Sequence, residues 1–481
     1  MYCCRRWIMA KAKNKIRVNF CGENAREVTG SMTHIVMSNH EILLECGLYQ
    51  SNSPREDYKV NSQKFPFKVR DIDYIFLSHA HIDHSGLIPK LYAQGCKAKI
   101  ICAKGTKDLF KVLALDSAYI INRDCEFLNK KYKMKASPFY TEDDVYTALK
   151  YVQEYEYGEL VQLADDISVR FVPSGHIIAA AQIELWLTEG NQTKKILYTG
   201  DLGNSIPKYY VTPFEPVQKA NLAICESTYS DAIRQVTKKD RTTDLWKINT
   251  VVKEVCQDKN GKVLFPTFSL DRTQNMLTFL YDMFGHDENF KVPILLDSPL
   301  ASKLTGTYLK LLKGEDRKRL EDALIWNNVT IVDTYEDSQS WQRMKKPMII
   351  LAASGFMQAG RSRSWAKTIL PDSKSHIIFI GFATDGSLSG KLRQAKTKTI
   401  TIDGKAYANR CGITTLHSFS SHIQHDEMLK YYSEIICEKI CLVHGEYKSK
   451  CAFGKELQEE INKKNKTNKV VVANKSTSLL I

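Results

Sequence analysis

Residues 78 to 85 read S-H-A-H-I-D-H-S, directly after an apolar run ending at Leu77, and no other string in the chain restricts its folding so sharply. His79 and His81 alternate, so an extended approach points both imidazoles to one side. Asp83 and His84 follow where Leu87, Ile88 and Leu91 begin a helical spacing. The string therefore predicts a strand, a turn and a helix, with metal donors gathered at the turn. One zinc takes three or four ligands, so four donors this close suit two adjacent metals that draw their remaining ligands from elsewhere. A histidine-rich surface turn is the plainer alternative, and partners later in the chain weigh against it.

Three such partners stand at strand ends. His176 closes F-V-P-S-G-H, where Gly175 permits a sharp turn; Asp201 lies in L-Y-T-G-D-L-G; His444 follows the apolar run Ile440 to Val443. Seven donors result, enough for two zinc ions: His79, His81 and His176 on one, Asp83, His84 and His444 on the other, and Asp201 between them.

The length of 481 residues suits two or three domains. No apolar stretch approaches the roughly 20 residues that span a bilayer, so no membrane segment is expected. The 13 cysteines are odd in number and contain no C-x-x-C pair, which argues against a disulfide framework and favours a reducing, cytoplasmic setting. A net charge of +14 suits an anionic partner, since clustered Lys and Arg attract phosphates, although a solvated basic surface explains the charge as simply. Residues 1–15 are basic without a sustained apolar core, and read as a disordered extension rather than a secretory signal.

From Ile16 to about residue 225 short alternating runs dominate, interrupted by a helical, charged stretch between Lys104 and Gly158. Beyond Tyr229, helical spacings alternate with apolar strands such as Lys262 to Phe268 and Pro347 to Ala353, the pattern of a parallel sheet covered on both faces. From about Lys398 the chain returns to strands.

The strings LLECG at 43–47, SHAHIDHSG at 78–86, SGH at 174–176 and TGDLG at 199–203 resemble the successive motifs of the metallo-β-lactamase fold. CESTY at 225–229, SFSSH at 418–422 and LVHGE at 442–446 resemble three further motifs of the β-CASP nucleases, which include the RNA 3′-end-processing endonuclease and compact bacterial RNA-specific metallohydrolases. The resemblance spans nearly the whole chain and implies an α/β fold, a metallo-β-lactamase αββα sandwich with an inserted parallel-sheet α/β β-CASP domain. The expected division is a metallo-β-lactamase domain over 16–227, the β-CASP domain over 228–397, and the C-terminal part of the metallo-β-lactamase domain over 398–481.

The same resemblance implies a zinc-dependent ribonuclease with two Zn2+ per chain and single-stranded RNA as its partner, a homodimer being left open. His422, Glu226 and Asp83 are the expected catalytic residues: a two-metal-activated hydroxide attacks the phosphodiester, and His422, oriented by Glu226, protonates the departing 3′ oxygen. Glu45, where relatives often carry aspartate, is expected to orient a ligand histidine. Arg272, Ser354, Gly355, Arg361 and Ser420 resemble family segments that contact substrate. Histidine at 444, in place of the valine of DNA-directed relatives, favours RNA. The short tail after His444 resembles the endonucleases more than full-length ribonuclease J, so internal cutting is expected, with a 5′-to-3′ exonuclease component left open. A thioesterase-like small-molecule hydrolase would explain the zinc motif without the middle domain. A noncatalytic RNA-binding subunit would leave the full donor set unexplained.

Overall fold

The computed structural model describes residues 15–231, 236–381, 386–394 and 397–481. Nearly all of the expected N-terminal extension therefore lies outside the described residues, as do Ala232 and Ile233 beyond the CESTY string. The chain divides into two compact units. The described residues of Met1–Ser205, Val211–Gln235 and His422–Ile481 form one, and those of Ile206–Tyr210 and Val236–Ser421 the other.

The first unit is built on two seven-stranded sheets. One runs in the order Ser478–Leu480, Arg17–Phe20, Thr33–Val36, Glu41–Leu44, Ile72–Leu77, Lys99–Ala103 and Val152–Tyr155; the other contains Ile167–Pro173, Ala181–Glu189, Gln192–Tyr198, Leu222–Cys225 and Lys439–Leu442. Their inner faces share one core. Val18, Ile35, Leu44 and Phe76 from the first sheet meet Val169, Ile183, Leu185 and Ile224 from the second. Burial of each such side chain contributes about 1.5–3 kcal/mol, so alternation of apolar residues along these strands is enough to press the sheets together. Ile72–Leu77 departs from alternation because it pairs in parallel with both neighbours and is covered on both faces, which turns its sequence into a continuous apolar run. The charged stretch after Lys104 forms the helices Thr106–Tyr132 and Glu142–Leu149, the latter opened by a capping box between Thr141 and Asp144. Its end differs from expectation: Val152–Tyr155 is a strand, added in parallel to Lys99–Ala103. Among the described residues no helix is long and apolar enough to cross a membrane.

The second unit has a six-stranded, all-parallel sheet in the order Val329–Ile331, Ile294–Asp297, Met348–Ala352, Lys262–Pro266, His376–Ile380 and Gly412–Leu416. Alternate residues serve opposite faces: Val263, Phe265, Ile349 and Leu351 pack into one apolar cluster, and Leu264, Ile350 and Ile377 into another. A boundary at residue 398 does not match this unit. Gly412–Leu416 pairs in parallel with His376–Ile380, and the hairpin Thr399–Ile402 with Lys405–Ala408 stays on the same side of the division, so the chain leaves this unit only at Ser421.

One glycine fixes the turn of the histidine motif. The amide of Gly47 donates to the Ser31 carbonyl, the Ser31 amide donates to the Asp83 carbonyl, and Cys46 and Leu48 donate to His84 and Ile82. A Cβ on Gly47 would lie 1.7 Å from the Asp83 carbonyl oxygen. Gly47→Ala must push the two segments apart, and we expect a loss of about 1–3 kcal/mol of stability, the usual range for overpacking. Urea unfolding with a midpoint like that of the unsubstituted chain would show that the turn tolerates the displacement.

Candidate metal centre

The strand Ile72–Leu77 stops at the histidine motif. Ser78 to His81 run on without sheet pairing, and Ile82–Ser85 makes one helical turn whose N-cap is His81. Gly175, at φ 74°, turns the chain ahead of His176, and Gly200, at φ 53°, turns it ahead of Asp201. His444 follows Lys439–Leu442 and itself adopts φ 52°, a left-handed conformation that costs a non-glycine residue free energy. These strand ends gather three donor groups, each with its ligand atoms within 4.8 Å of one another: His79, His81, His176 and Asp201; Asp83, His84 and His444; Asp201, Glu226 and His422. All lie in the first unit.

The geometry within the cluster is tight. His79 Nε2 is 3.0 Å from His81 Nδ1, which is 3.4 Å from His176 Nε2. Asp201 faces both histidine sets. Its Oδ2 lies 3.7 Å from His79 Nε2 and 3.6 Å from His176 Nε2, while its Oδ1 lies 3.3 Å from His84 Nε2 and 3.4 Å from His444 Nδ1. Among the described residues, buried His84 has no hydrogen-bond partner on either ring nitrogen, and neither has Asp201 Oδ1. Buried polar atoms normally find partners. Imidazole nitrogens and carboxylate oxygens left facing one another are the donor set that zinc takes, so these residues fit the ion.

Electrostatics agree with the donor set. Burial holds His79 and His176 well below the usual imidazole range and pushes His81 down to about 4, leaving neutral rings with lone pairs available to a cation. For His84 and His444 burial acts in the same direction but is outweighed by the carboxylates of Asp201 and Asp83, and both are raised. Burial would raise Asp83 and Asp201, yet the surrounding imidazoles hold both carboxyls low and charged.

Around this cluster, Glu45 is fully buried at φ 64°; its Oε1 accepts from the Ser78 amide at 2.8 Å and its Oε2 lies 3.6 Å from His84 Nδ1. Glu226 Oε1 accepts from the Leu202 amide at 2.7 Å and lies 3.4 Å from His422 Nδ1, which is 3.9 Å from Asp201 Oδ2. Two hydroxyls were not singled out in the sequence: Ser78 Oγ, 3.0 Å from His79 Nδ1, and Thr228 Oγ1, 3.1 Å from His444 Nδ1. A hydroxyl residue beside a candidate ligand or two positions after Glu226 was the available signal.

Arg272, Ser354, Gly355, Arg361 and Ser420 belong to the second unit. Arg272 Nε donates to Ser421 Oγ at 3.0 Å and its Nη1 to the Ile380 carbonyl at 2.9 Å. Arg361 Nη1 donates to the Thr334 carbonyl and lies 3.4 Å from the buried Asp297 carboxylate. Ser354 Oγ bonds the Ala359 carbonyl at 3.4 Å, Gly355 packs so closely that a Cβ would meet the Phe268 ring at 2.9 Å, and Ser420 is buried.

Residues 34–205 match the family model of a metallo-β-lactamase superfamily domain, 273–392 that of the β-CASP domain, and 407–471 that of the Zn-dependent metallo-hydrolase RNA specificity domain. The chain is 30% identical over 439 residues to a ribonuclease of Thermus thermophilus, the match covering 90% of this chain and 94% of that protein. It is 28% identical over 470 residues to the transcription termination factor FttA of Methanocaldococcus jannaschii, covering 92% and 69%. A crystal structure of a protein of unknown function from Enterococcus faecalis shares the fold with a TM-score of 0.51 at 13% identity, covering 97% of this chain and 100% of that one. With a clustered donor set on two packed sheets, an all-parallel second unit and these matches along its length, the chain belongs to the β-CASP family of metallo-β-lactamase-fold, zinc-dependent hydrolases.

Proposed function

We propose that the chain is a two-zinc ribonuclease that cuts single-stranded RNA internally, with a lesser 5′-to-3′ exonuclease activity. The observation that carries this reading is the shared carboxylate of Asp201, which joins both histidine sets and the Glu226–His422 pair in one buried cluster. His79, His81, His176 and Asp201 would hold one ion, and Asp83, His84 and His444, together with Asp201, would hold the other. Zinc, when bound, supplies an activated water and positive charge against the phosphate. Glu45 keeps His84 oriented and Asp83 fixes the second set. As the phosphorus–O3′ bond breaks, His422 gives its proton to the leaving oxygen, and Glu226 holds the imidazole for that transfer. The products are a 5′ phosphate and a 3′ hydroxyl. Arg272, Arg361, Ser354, Gly355 and Ser420 are the substrate-contacting residues in this reading, since an arginine and close backbone approach suit a phosphate. The similar Thermus thermophilus protein is named a ribonuclease, and the net charge of +14 suits a polyanion.

A circular single-stranded RNA, a 5′-monophosphorylated linear RNA and a DNA of the same sequence separate the alternatives. We expect the circle to be opened, the linear RNA to be cut internally, and the DNA to survive. An intact circle beside a degraded linear RNA would replace the endonuclease by an exonuclease. Equal cleavage of DNA would remove the selectivity ascribed to His444, and hydrolysis of a thioester or β-lactam with no action on RNA would reject the ribonuclease.

A further inference from the structure

His444 is held more firmly than a ligand at a strand end requires. Its left-handed backbone is locked by its own amide, which donates to the Asn24 carbonyl at 2.7 Å, and by its carbonyl, which accepts from the Ser227 amide at 3.1 Å. Ser227 Oγ donates to the Val443 carbonyl at 2.5 Å. A conformation costing of order 1–3 kcal/mol persists only where its surroundings over-determine it, and residues 227 and 228 supply much of that restraint.

The ring is restrained from the same side. Nε2 lies 3.4 Å from Asp83 Oδ2, while Nδ1 has two acceptors in reach, Thr228 Oγ1 at 3.1 Å and Asp201 Oδ1 at 3.4 Å. Under the proposed function the Asp201 oxygens are committed to the metals, which leaves the Thr228 hydroxyl as the acceptor for Nδ1–H. Thr228 Oγ1 is also 3.5 Å from the His444 carbonyl, toward which its own proton can turn. A metal-binding imidazole whose other nitrogen has such a partner is fixed in one tautomer and one orientation, and loss of the partner typically weakens metal binding about 10–100-fold.

We propose that Ser227 and Thr228 form a clip that positions His444, and that the Thr228 hydroxyl sets the zinc affinity of the group made by Asp83, His84 and His444 without setting that of the other group. Thr228 is a positioning residue here, acting on zinc through His444. The inference rests on the reading of His444 as a ligand.

Zinc competition with a chromophoric chelator tests it on the full chain, alongside the melting temperature of the metal-free protein. The variants are Thr228→Val, Thr228→Ala, Thr228→Ser and His444→Ala. We expect one of two zinc ions to bind about 10–100-fold more weakly in Thr228→Val and Thr228→Ala, the other ion and the metal-free melting temperature to stay unchanged, and Thr228→Ser to restore tight binding. If His444→Ala loses one ion while Thr228→Val and Thr228→Ala bind both as tightly as the unsubstituted chain, the clip is rejected and the ligand reading stands. Equal weakening of both ions together with a lowered metal-free melting temperature also rejects it, because that outcome marks a general structural role. Retention of two tight ions by His444→Ala overturns the ligand assignment and the clip with it.

Discussion

Asp201→Asn is expected to abolish hydrolysis and to strip zinc from both donor groups. One carboxylate oxygen faces His79 and His176 and the other faces His84 and His444, so a neutral amide of the same size removes the negative charge shared by the two sets. His81→Ala removes a donor from one group alone, and should therefore lose one ion. For both variants we expect a fall in single-turnover rate on the order of a thousandfold or more, equivalent to about 4 kcal/mol of barrier. His422→Ala should behave differently, retaining its zinc while the rate falls by about 10²–10⁴, the usual contribution of a positioned proton donor. Metal content and single-turnover rates measured on the same preparations decide the assignment. A zinc-depleted His422→Ala beside a fully loaded His81→Ala would reverse the roles.

A steep loss of stability above pH 9 is the second large effect expected. Burial raises the thiols of Cys46, Cys102 and Cys225 well above their ordinary range, pushes Cys256 and Cys437 up to about 12, and raises Cys441 as well. These groups keep their protons in the folded chain at a pH where the unfolded chain has lost them. The folded state then binds more protons, and each thiol costs about 1.4 kcal/mol of stability per pH unit between its unfolded and folded pKa values. Two buried lysines oppose this. Lys90 and Lys450 are pushed down to about 8 by burial, so between there and the ordinary lysine range the unfolded chain binds the extra proton and stability rises with pH. The raised thiols outnumber the lowered lysines, so the net effect is a fall in stability as pH rises through the ordinary thiol range, against a typical total of roughly 5–15 kcal/mol. Urea titrations from pH 8 to 10.5 should show the midpoint dropping sharply, and Cys225→Ala should make the fall shallower. A flat profile across that range would show that these thiols ionise in the folded chain as readily as in the unfolded one.

Much of the clustering of candidate donors was legible because each sits in a short string at the end of an apolar run, where a strand must stop and a side chain can face another strand end. His176, Asp201 and His444 were found that way, and the structure brings them to the motif at 79–84. Thr228 and Ser78 were not, since a hydroxyl becomes relevant only through the ring nitrogen opposite it, and that pairing depends on tertiary placement. The return at residue 398 misled for a related reason. Periodicity identifies Gly412–Leu416 as a strand but says nothing of the sheet that receives it, and its parallel pairing with His376–Ile380 keeps it in the second unit. The edge strand Val152–Tyr155 was hidden by its position after a long helical segment and by its half-exposed, polar composition.

The first unit is assembled from stretches far apart in the chain, whereas nearly all of the second is one continuous run. On a ribosome this sets an order of events. The run from Val236 to Ser421 can collapse while translation continues, because its parallel sheet is complete once Gly412–Leu416 has emerged. The sandwich has to wait. Leu222–Cys225, already paired with Gln192–Tyr198, lacks its second neighbour until Lys439–Leu442 is made, and Arg17–Phe20, already paired with Thr33–Val36, lacks its second until Ser478–Leu480 arrives. A nascent chain stalled before residue 444 therefore carries the histidine motif without His444, and the group of Asp83, His84 and His444 stays incomplete until that strand end has been made.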